Sequence, residues 1–259
     1  MKKVNKSRVP VLGVLPVFRP AMGQEEIDAV AEVIRSGWIG LGPKTEEFEN
    51  KFAKYVNSGY AVGLNSATAA LHLSLLALGV GPGDEVLVPS LTFVSTAHAA
   101  LYVGAKPVFV DVYEDTLCMD PADMEKKITK KSKAIIPVHF GGHPADLTEI
   151  HRIAKENHLK VIEDASHACG SEYKGKMIGG LSDLTCFSFH AVKNLATGDG
   201  GMVTTNDKKL AETIKRLRWV GINKETWERE ELVFQKGYRQ YGWYYEVTDL
   251  GYKYHMNDL

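Results

Sequence analysis

Seven short runs rich in β-branched and aromatic residues, separated by stretches of helical periodicity, restrict this chain to one broad class of fold. The runs are YAVGL at 60–64, EVLVP at 85–89, PVFVDV at 107–112, KAIIPV at 133–138, KVIEDA at 160–165, TCFSF at 185–189 and GMVTT at 201–205. Strands alternating with helices build βαβ units, and near-continuous apolar strands suit a sheet covered on both faces. The expected fold is therefore α/β: three α/β/α layers around a mainly parallel seven-stranded sheet. Helical patterns occupy 67–78, 94–103, 120–128, 146–157 and 207–220, often opening on Asp, Ser or Thr. Two more, at 24–36 and 44–56, are joined by the turn GWIGLGP. After 221 the chain becomes rich in Trp, Tyr and charge, and no helix or strand emerges. Its last residues, Asn257, Asp258 and Leu259, read as the first turn of a further helix, so a fragment of a longer protein is expected.

Composition narrows the function. With 31 basic and 32 acidic residues the net charge is −1, which leaves no overall basic field for nucleic acid or an anionic membrane. Lys2, Lys3, Lys6 and Arg8 open the chain, but no apolar stretch follows and no run of 18 apolar residues occurs, so a cytoplasmic protein is expected. Cys118, Cys169 and Cys186 lie far apart without CxxC spacing, against a zinc site or a disulfide framework. They read as reduced packing groups, and no metal site is expected.

In a parallel sheet the C-terminal strand ends gather on one edge, and four groups from separate loops meet there. Lys193 follows the run TCFSF and precedes the turn ATGDGG; a desolvated lysine amine forms Schiff bases, the chemistry pyridoxal 5'-phosphate (PLP) uses. Asn65, Ser66, Ala67 and Thr68 stand at a strand-to-helix turn, where hydroxyls and helix N–H groups face a phosphate, although Ser66 as a plain helix cap fits equally. Phe93 in PSLTFVS is placed to stack on a flat ring or to pack in the core. Asp164, at the end of an apolar strand, needs a partner: a pyridinium N–H, a helix N-terminus or a buried cation. His167 is three residues on, within reach of a ring hydroxyl or in a structural role. Ser188 adds a hydroxyl, and Gly198, Gly200 and Gly201 let the backbone turn tightly.

These motifs, with RSGWIGLGPKTEEFE, IIPVHFGGHPAD and GYKYHMNDL, closely resemble the DegT/DnrJ/EryC1/StrS family of PLP-dependent sugar aminotransferases, from about residue 24 to the end. The resemblance implies fold type I of the aspartate aminotransferase superfamily, with 1–23 an N-terminal segment, 24–221 the PLP-binding large domain, and 222–259 leading into a small C-terminal domain that is missing. It implies that Lys193 is the Schiff-base lysine, Asp164 the partner of the pyridine nitrogen, and His167 the neighbour of the ring hydroxyl, where many relatives have glutamine. Ala67, Thr68, Ala69 and Ser188 match phosphate contacts, and Phe93 the stacking aromatic. Lys253 stands where many relatives carry an asparagine that reaches the neighbouring subunit's phosphate, and His255 where they often carry arginine. Implied partners are a nucleotide-linked keto-sugar, an amino donor such as glutamate, and a second copy of the chain in a homodimer. Two rivals remain: a PLP sugar dehydratase, which Lys193 opposes because those relatives have histidine there, and a PLP-binding module without turnover. A Rossmann dehydrogenase is opposed by the lack of GxGxxG after any strand.

Overall fold

A computed structural model describes residues 19–223 and 245–259; the rest of the expected N-terminal segment and of the Trp- and Tyr-rich stretch lies outside the described residues. The strands are β1 (Tyr60–Leu64), β2 (Glu85–Pro89), β3 (Lys106–Val110), β4 (Ser132–Ile135), β5 (Lys160–Asp164), a short hairpin of β6 (Glu172–Tyr173) and β7 (Lys176–Met177), then β8 (Leu184–Ser188) and β9 (Gly201–Thr205). All but the hairpin form one seven-stranded sheet in the order β1-β9-β8-β5-β4-β2-β3. Pairing is parallel except at β9, which runs antiparallel to both β1 and β8. The exception has a local cause. The connection from β8 to β9 contains no helix, and a parallel neighbour needs a crossover that returns the chain to the opposite end.

The helices are α1 (Gln24–Ser36), α2 (Pro43–Tyr55), α3 (Ala67–Ala77), α4 (Ser95–Tyr102), α5 (Pro121–Lys127), α6 (Leu147–Glu156) and α7 (Lys208–Arg218). Period-two alternation along the strands separates two covered faces. Val62, Leu64, Val86, Val88, Ile162, Leu184, Cys186 and Val203 pack with Leu71 of α3, Ala99 of α4 and Ile214 of α7. Their neighbours in sequence face the other way. Leu87, Ile135 and Val161 meet Met124 of α5 and Ile150 of α6, while Ala61, Phe187 and Met202 meet Phe52 of α2. The sheet is therefore the middle of three layers. No helix among the described residues is long and apolar enough to cross a membrane.

Helix caps follow the sequence. Ser66, Asp120, Asp146 and Asp207 each accept first-turn N–H groups from their own helices. The cap of α2 comes instead from the far end of the chain. Asp258 Oδ1 accepts from the N–H groups of Gly42 and Thr45 at 3.0 and 2.9 Å, and Oδ2 from that of Lys44 at 3.0 Å. The carboxylate read as opening a further helix thus caps the start of α2. The same terminal segment covers the free edge of β1: Asn65 donates its N–H to Tyr254 O at 2.8 Å, and Leu64 bridges His255. Deeper along that edge Gly63 N–H donates to Glu49 Oε1 at 2.7 Å, and Gly63 O accepts from Arg218 Nη1 at 2.9 Å. Glu49 and Arg218 are buried and bonded to one another, so neither charge lacks an opposite one.

His255 makes this closure sensitive to acid. Its ring stands edge-on to Trp219 at 4.3 Å, and burial, with the positive charges of Lys253 and Arg218, holds its pKa down to about 4 against an ordinary 6.5. Between those values the unfolded chain binds a proton that the folded chain refuses, so stability falls as pH drops from 6.5 towards 4. The loss expected is on the order of 1–2 kcal/mol after allowing for the ring's partial exposure. Urea midpoints of wild type and His255→Gln across that range will check it: the acid slope should be shallower in the variant, and parallel slopes would remove His255 as its source.

Candidate active site

Strand register assembles the site. At the C-terminal edge of the parallel strands, Leu64 and Ser188 lie on either side of Gly201, the first residue of antiparallel β9. The turn that follows Leu64 and the hydroxyl of Ser188 are thereby brought together. One strand further on, Asp164 pairs with Cys186. The turn at Ser66 and Ala67, Ser188 and Asp164 line a cavity of about 400 Å³, together with Thr68, Phe93, His167 and Lys193, a volume suited to a small cofactor.

The turn before α3 reads as expected. Ser66 Oγ accepts the N–H of Ala69 at 3.1 Å, leaving the N–H groups of the first turn, which have no acceptor within a helix, directed at the cavity end of the dipole. Ser66 and Ala67 line the cavity; Ala69, expected as a phosphate contact, does not, since it is buried in the core and its amide is taken by Ser66. Thr68 Oγ1 is hydrogen-bonded to Ser95 Oγ at 2.7 Å, which joins α3 to the start of α4. Ser188 Oγ accepts from His190 N at 3.4 Å and keeps its own proton to donate.

Gly201 is needed for this cup to close, for steric reasons. A Cβ there would fall 2.3 Å from the carbonyl carbon of Ser66 and 2.6 Å from Ala67 N, inside the distance that backbone atoms tolerate. Gly201→Ala is expected to push the α3 turn away from Ser188, weakening PLP binding more than about tenfold and costing roughly 1–3 kcal/mol in stability. Cofactor titration and urea unfolding check this, and unchanged affinity would contradict it.

Asp164 is buried, and both oxygens are held. Oδ2 accepts from Thr96 Oγ1 at 2.8 Å, with Thr92 Oγ1 a further 2.7 Å along the chain of hydroxyls, and Oδ1 accepts from Ser166 N at 3.1 Å. Thr92, Ser95 and Thr96 were not singled out in the sequence, although the hydroxyl-rich run SLTFVST around Phe93 is their signal. Phe93 itself is 73% exposed at the cavity, so the core-packing alternative fails and its ring is free to meet a ligand. His167 Nδ1 accepts the N–H of Gly141 at 3.3 Å, which puts the ring proton on Nε2. Burial, then the nearby Lys193 charge, lowers its pKa, with Asp164 opposing, so His167 is a neutral donor.

Lys193 sits on the loop from β8 to β9. The loop is pinned by Phe189 N to Gly200 O and Thr197 N to Phe189 O, both 2.9 Å, by Lys193 N to His190 O at 2.8 Å, and by the Asn194 side chain to Cys169 O at 2.7 Å. Burial lowers the pKa of the Lys193 amine, with Asp164 pulling the other way. Lowering favours the neutral, nucleophilic amine. Lys253 lies outside this cavity: its Nζ is 3.2 Å from the centroid of the Trp219 ring, and burial lowers its pKa. Cys118 and Cys186 are buried and Cys169 partly so, with burial raising all three thiols.

The model of the DegT/DnrJ/EryC1/StrS aminotransferase family matches residues 20–259. The chain belongs to that family. It is 48% identical, over 246 residues and 95% of its length, to the spore coat polysaccharide biosynthesis protein SpsC of Bacillus subtilis, and 47% identical over the same span to a UDP-4-amino-4-deoxy-L-arabinose--oxoglutarate aminotransferase of Shewanella sediminis. It spans about three fifths of the length of these relatives, 61% of each. Among solved structures, a putative sugar aminotransferase from Streptococcus pneumoniae in its PMP form superposes with a TM-score of 0.86 at 35% identity, over 95% of this chain and 65% of the other. That protein has also been solved in a PLP form.

The residues present fit PLP. A hydroxyl-lined helix N-terminus suits a phosphate, and the exposed face of Phe93 suits an aromatic ring. Asp164 suits a ring N–H, His167 a ring oxygen, and the Lys193 amine an aldehyde, all on one cavity.

Proposed function

We propose that the protein is a PLP-dependent sugar aminotransferase that takes an amino group from L-glutamate and delivers it to a keto group on a nucleotide-linked sugar. The observation that carries this reading is the meeting of an amine, a held carboxylate and a phosphate cup in one cavity. When bound, PLP supplies a ring that takes up electrons as a proton leaves the substrate carbon. Asp164 keeps the ring nitrogen protonated, and Thr96 and Ser166 fix the carboxylate for that contact. His167 donates its Nε2 proton to the ring oxygen. Ser66, Ala67, Thr68 and Ser188 hold the phosphate, and Phe93 covers one ring face and keeps water from it. Lys193 Nζ would hold the cofactor covalently and, with its amine free, would serve as the base that takes the α-proton of the donor and as the acid that returns it on the far side of the donor nitrogen.

The reading includes a homodimer and a cytoplasmic location, and the three free thiols fit a reducing compartment. Lys253 is not among the residues that line its own cavity; in the dimer reading it stands where many relatives carry an asparagine that reaches the neighbouring subunit's phosphate. With PLP added to the purified chain, glutamate alone should convert the cofactor's absorbance from the aldehyde to the amine form and release an equal amount of 2-oxoglutarate. A bound cofactor whose spectrum glutamate leaves unchanged would refute the donor half-reaction. A nucleotide-linked keto-sugar should then restore the first spectrum.

A further inference from the structure

Beneath the cavity, on the opposite face of β5 from the Asp164 side chain, lies a polar cluster that the proposed chemistry does not use. Glu163 precedes Asp164 in the strand, so its side chain points the other way. Both Glu163 and His139 are fully buried, with His139 Nε2 2.8 Å from Glu163 Oε2. The remaining oxygen, Oε1, accepts from Thr185 Oγ1 at 3.2 Å, and Thr185 is Glu163's register partner on β8. His139 Nδ1 accepts the N–H of Ala145 at 3.1 Å, so the ring proton is on Nε2 and is donated to Glu163. Four polar groups from the segment after β4, from β5, from β8 and from the approach to α6 are thus bonded to one another out of water. Apolar side chains would fill that space at no desolvation cost, so packing alone does not account for them.

The backbone around this pair points to what it does. His139 N–H donates to Asp164 O at 3.1 Å and Asp164 N–H to Pro137 O at 2.8 Å, so the segment carrying His139 holds Asp164 on both sides. Directly after His139 the chain turns through residues 140–142, closed by Gly142 N to His139 O at 3.1 Å, and Gly141 delivers its N–H to His167 Nδ1. The turn is confined: a Cβ on Gly142, at φ 88°, would fall 2.9 Å from His167 O, and Ser171 Oγ donates to Gly142 O at 2.8 Å. Resting on the cofactor reading above, we propose that the buried His139–Glu163 pair is a positioning device, which anchors the segment fixing both the Asp164 backbone and the protonated nitrogen of His167. Neither residue touches the cavity; both act through the two side chains that face the cofactor ring.

The test uses the full chain with His139→Leu, Glu163→Leu and Glu163→Gln. Two quantities are read: the ¹⁵N shifts of the His167 ring in cofactor-free protein, and the dissociation constant of PLP by titration. Wild type should show His167 protonated at Nε2 alone. Both leucine variants should show mixed tautomers and bind PLP about tenfold more weakly or worse, the scale of one lost buried hydrogen bond. Glu163→Gln, whose amide oxygen still accepts from His139 Nε2, should stay near wild type. His139→Leu with unchanged His167 shifts and affinity would overturn the proposal, as would Glu163→Gln failing like Glu163→Leu. Should the leucine variants not fold, Thr185→Val decides, since it removes one bond at nearly constant shape: a shift in His167 supports the pair's role and none overturns it. A wild-type chain that binds no PLP would remove the cofactor reading, while the His167 shifts still judge this one.

Discussion

Lys193→Ala should give a folded protein that still collects PLP in its cavity but lacks the visible absorbance of lysine-bound cofactor and converts it with glutamate at least about 10³-fold more slowly. Folding should survive because the loop is held by backbone groups, Lys193 N to His190 O among them, and by Asn194, not by the lysine side chain. PLP should still enter because the phosphate cup at Ser66 to Thr68, the carboxylate of Asp164 and the Phe93 ring belong to other segments. Affinity is expected to fall through loss of the covalent link alone. Reactivity is a different matter: among the described residues no other lysine lines the cavity, so no second amine of the same subunit stands in place to take over the proton. Single-turnover absorbance with glutamate measures the effect. Wild-type rates would show that another group is the base.

The second large effect is expected at Asp164→Asn. The variant keeps the shape and one acceptor, so Oδ1 still meets Ser166 N and the amide nitrogen faces Thr96 Oγ1, whose hydroxyl can turn to accept. Stability should therefore change little. What is lost is the negative charge that holds a proton on the ring nitrogen. A hydrogen bond to a charged group contributes about 1.5–3 kcal/mol, which is a ten- to hundredfold loss in the glutamate half-reaction before any poorer electron uptake by an unprotonated ring is added. Asp164→Ala should lose activity and also stability, because it orphans two donors at once. Rate against urea midpoint separates the two variants. An Asn variant with wild-type rates would show that the charge is not used.

Much of this architecture was legible in the sequence because the signals are local. Seven strands fall where apolar runs stand between turn residues, to within two residues at most ends, and the three-layer packing follows from period-two alternation. The fourth strand stops earlier than the run 133–138 implies, because Pro137 has no N–H for the ladder, although Val138 still bridges Asp164. The two-residue strands β6 and β7 carried no periodicity to read. Direction at β9 was also unreadable, since it depends on how the loop from Phe189 to Gly200 closes.

Ser66, Ala67, Thr68, Phe93, Asp164, His167, Ser188 and Lys193 were legible because each stands at a strand end or a turn, whereas Thr92 and Ser95, which line the same cavity, were not. Nor were the residues that support them. Glu163 looked like a neighbour of Asp164, and only the fold brings His139 and Thr185 to it; Asp258 looked like the start of a helix, and only the fold brings it to α2. Long-range partners are set by strand order, which local pattern does not contain.

The central claim is that one amine, Lys193, holds the cofactor. Reducing the PLP-loaded chain with borohydride fixes the cofactor to whatever amine it has joined, and peptide mass mapping then locates it. One phosphopyridoxyl group per chain, on the peptide containing Lys193, is the predicted result. Label spread over surface lysines, or concentrated on another lysine such as Lys253, would contradict it.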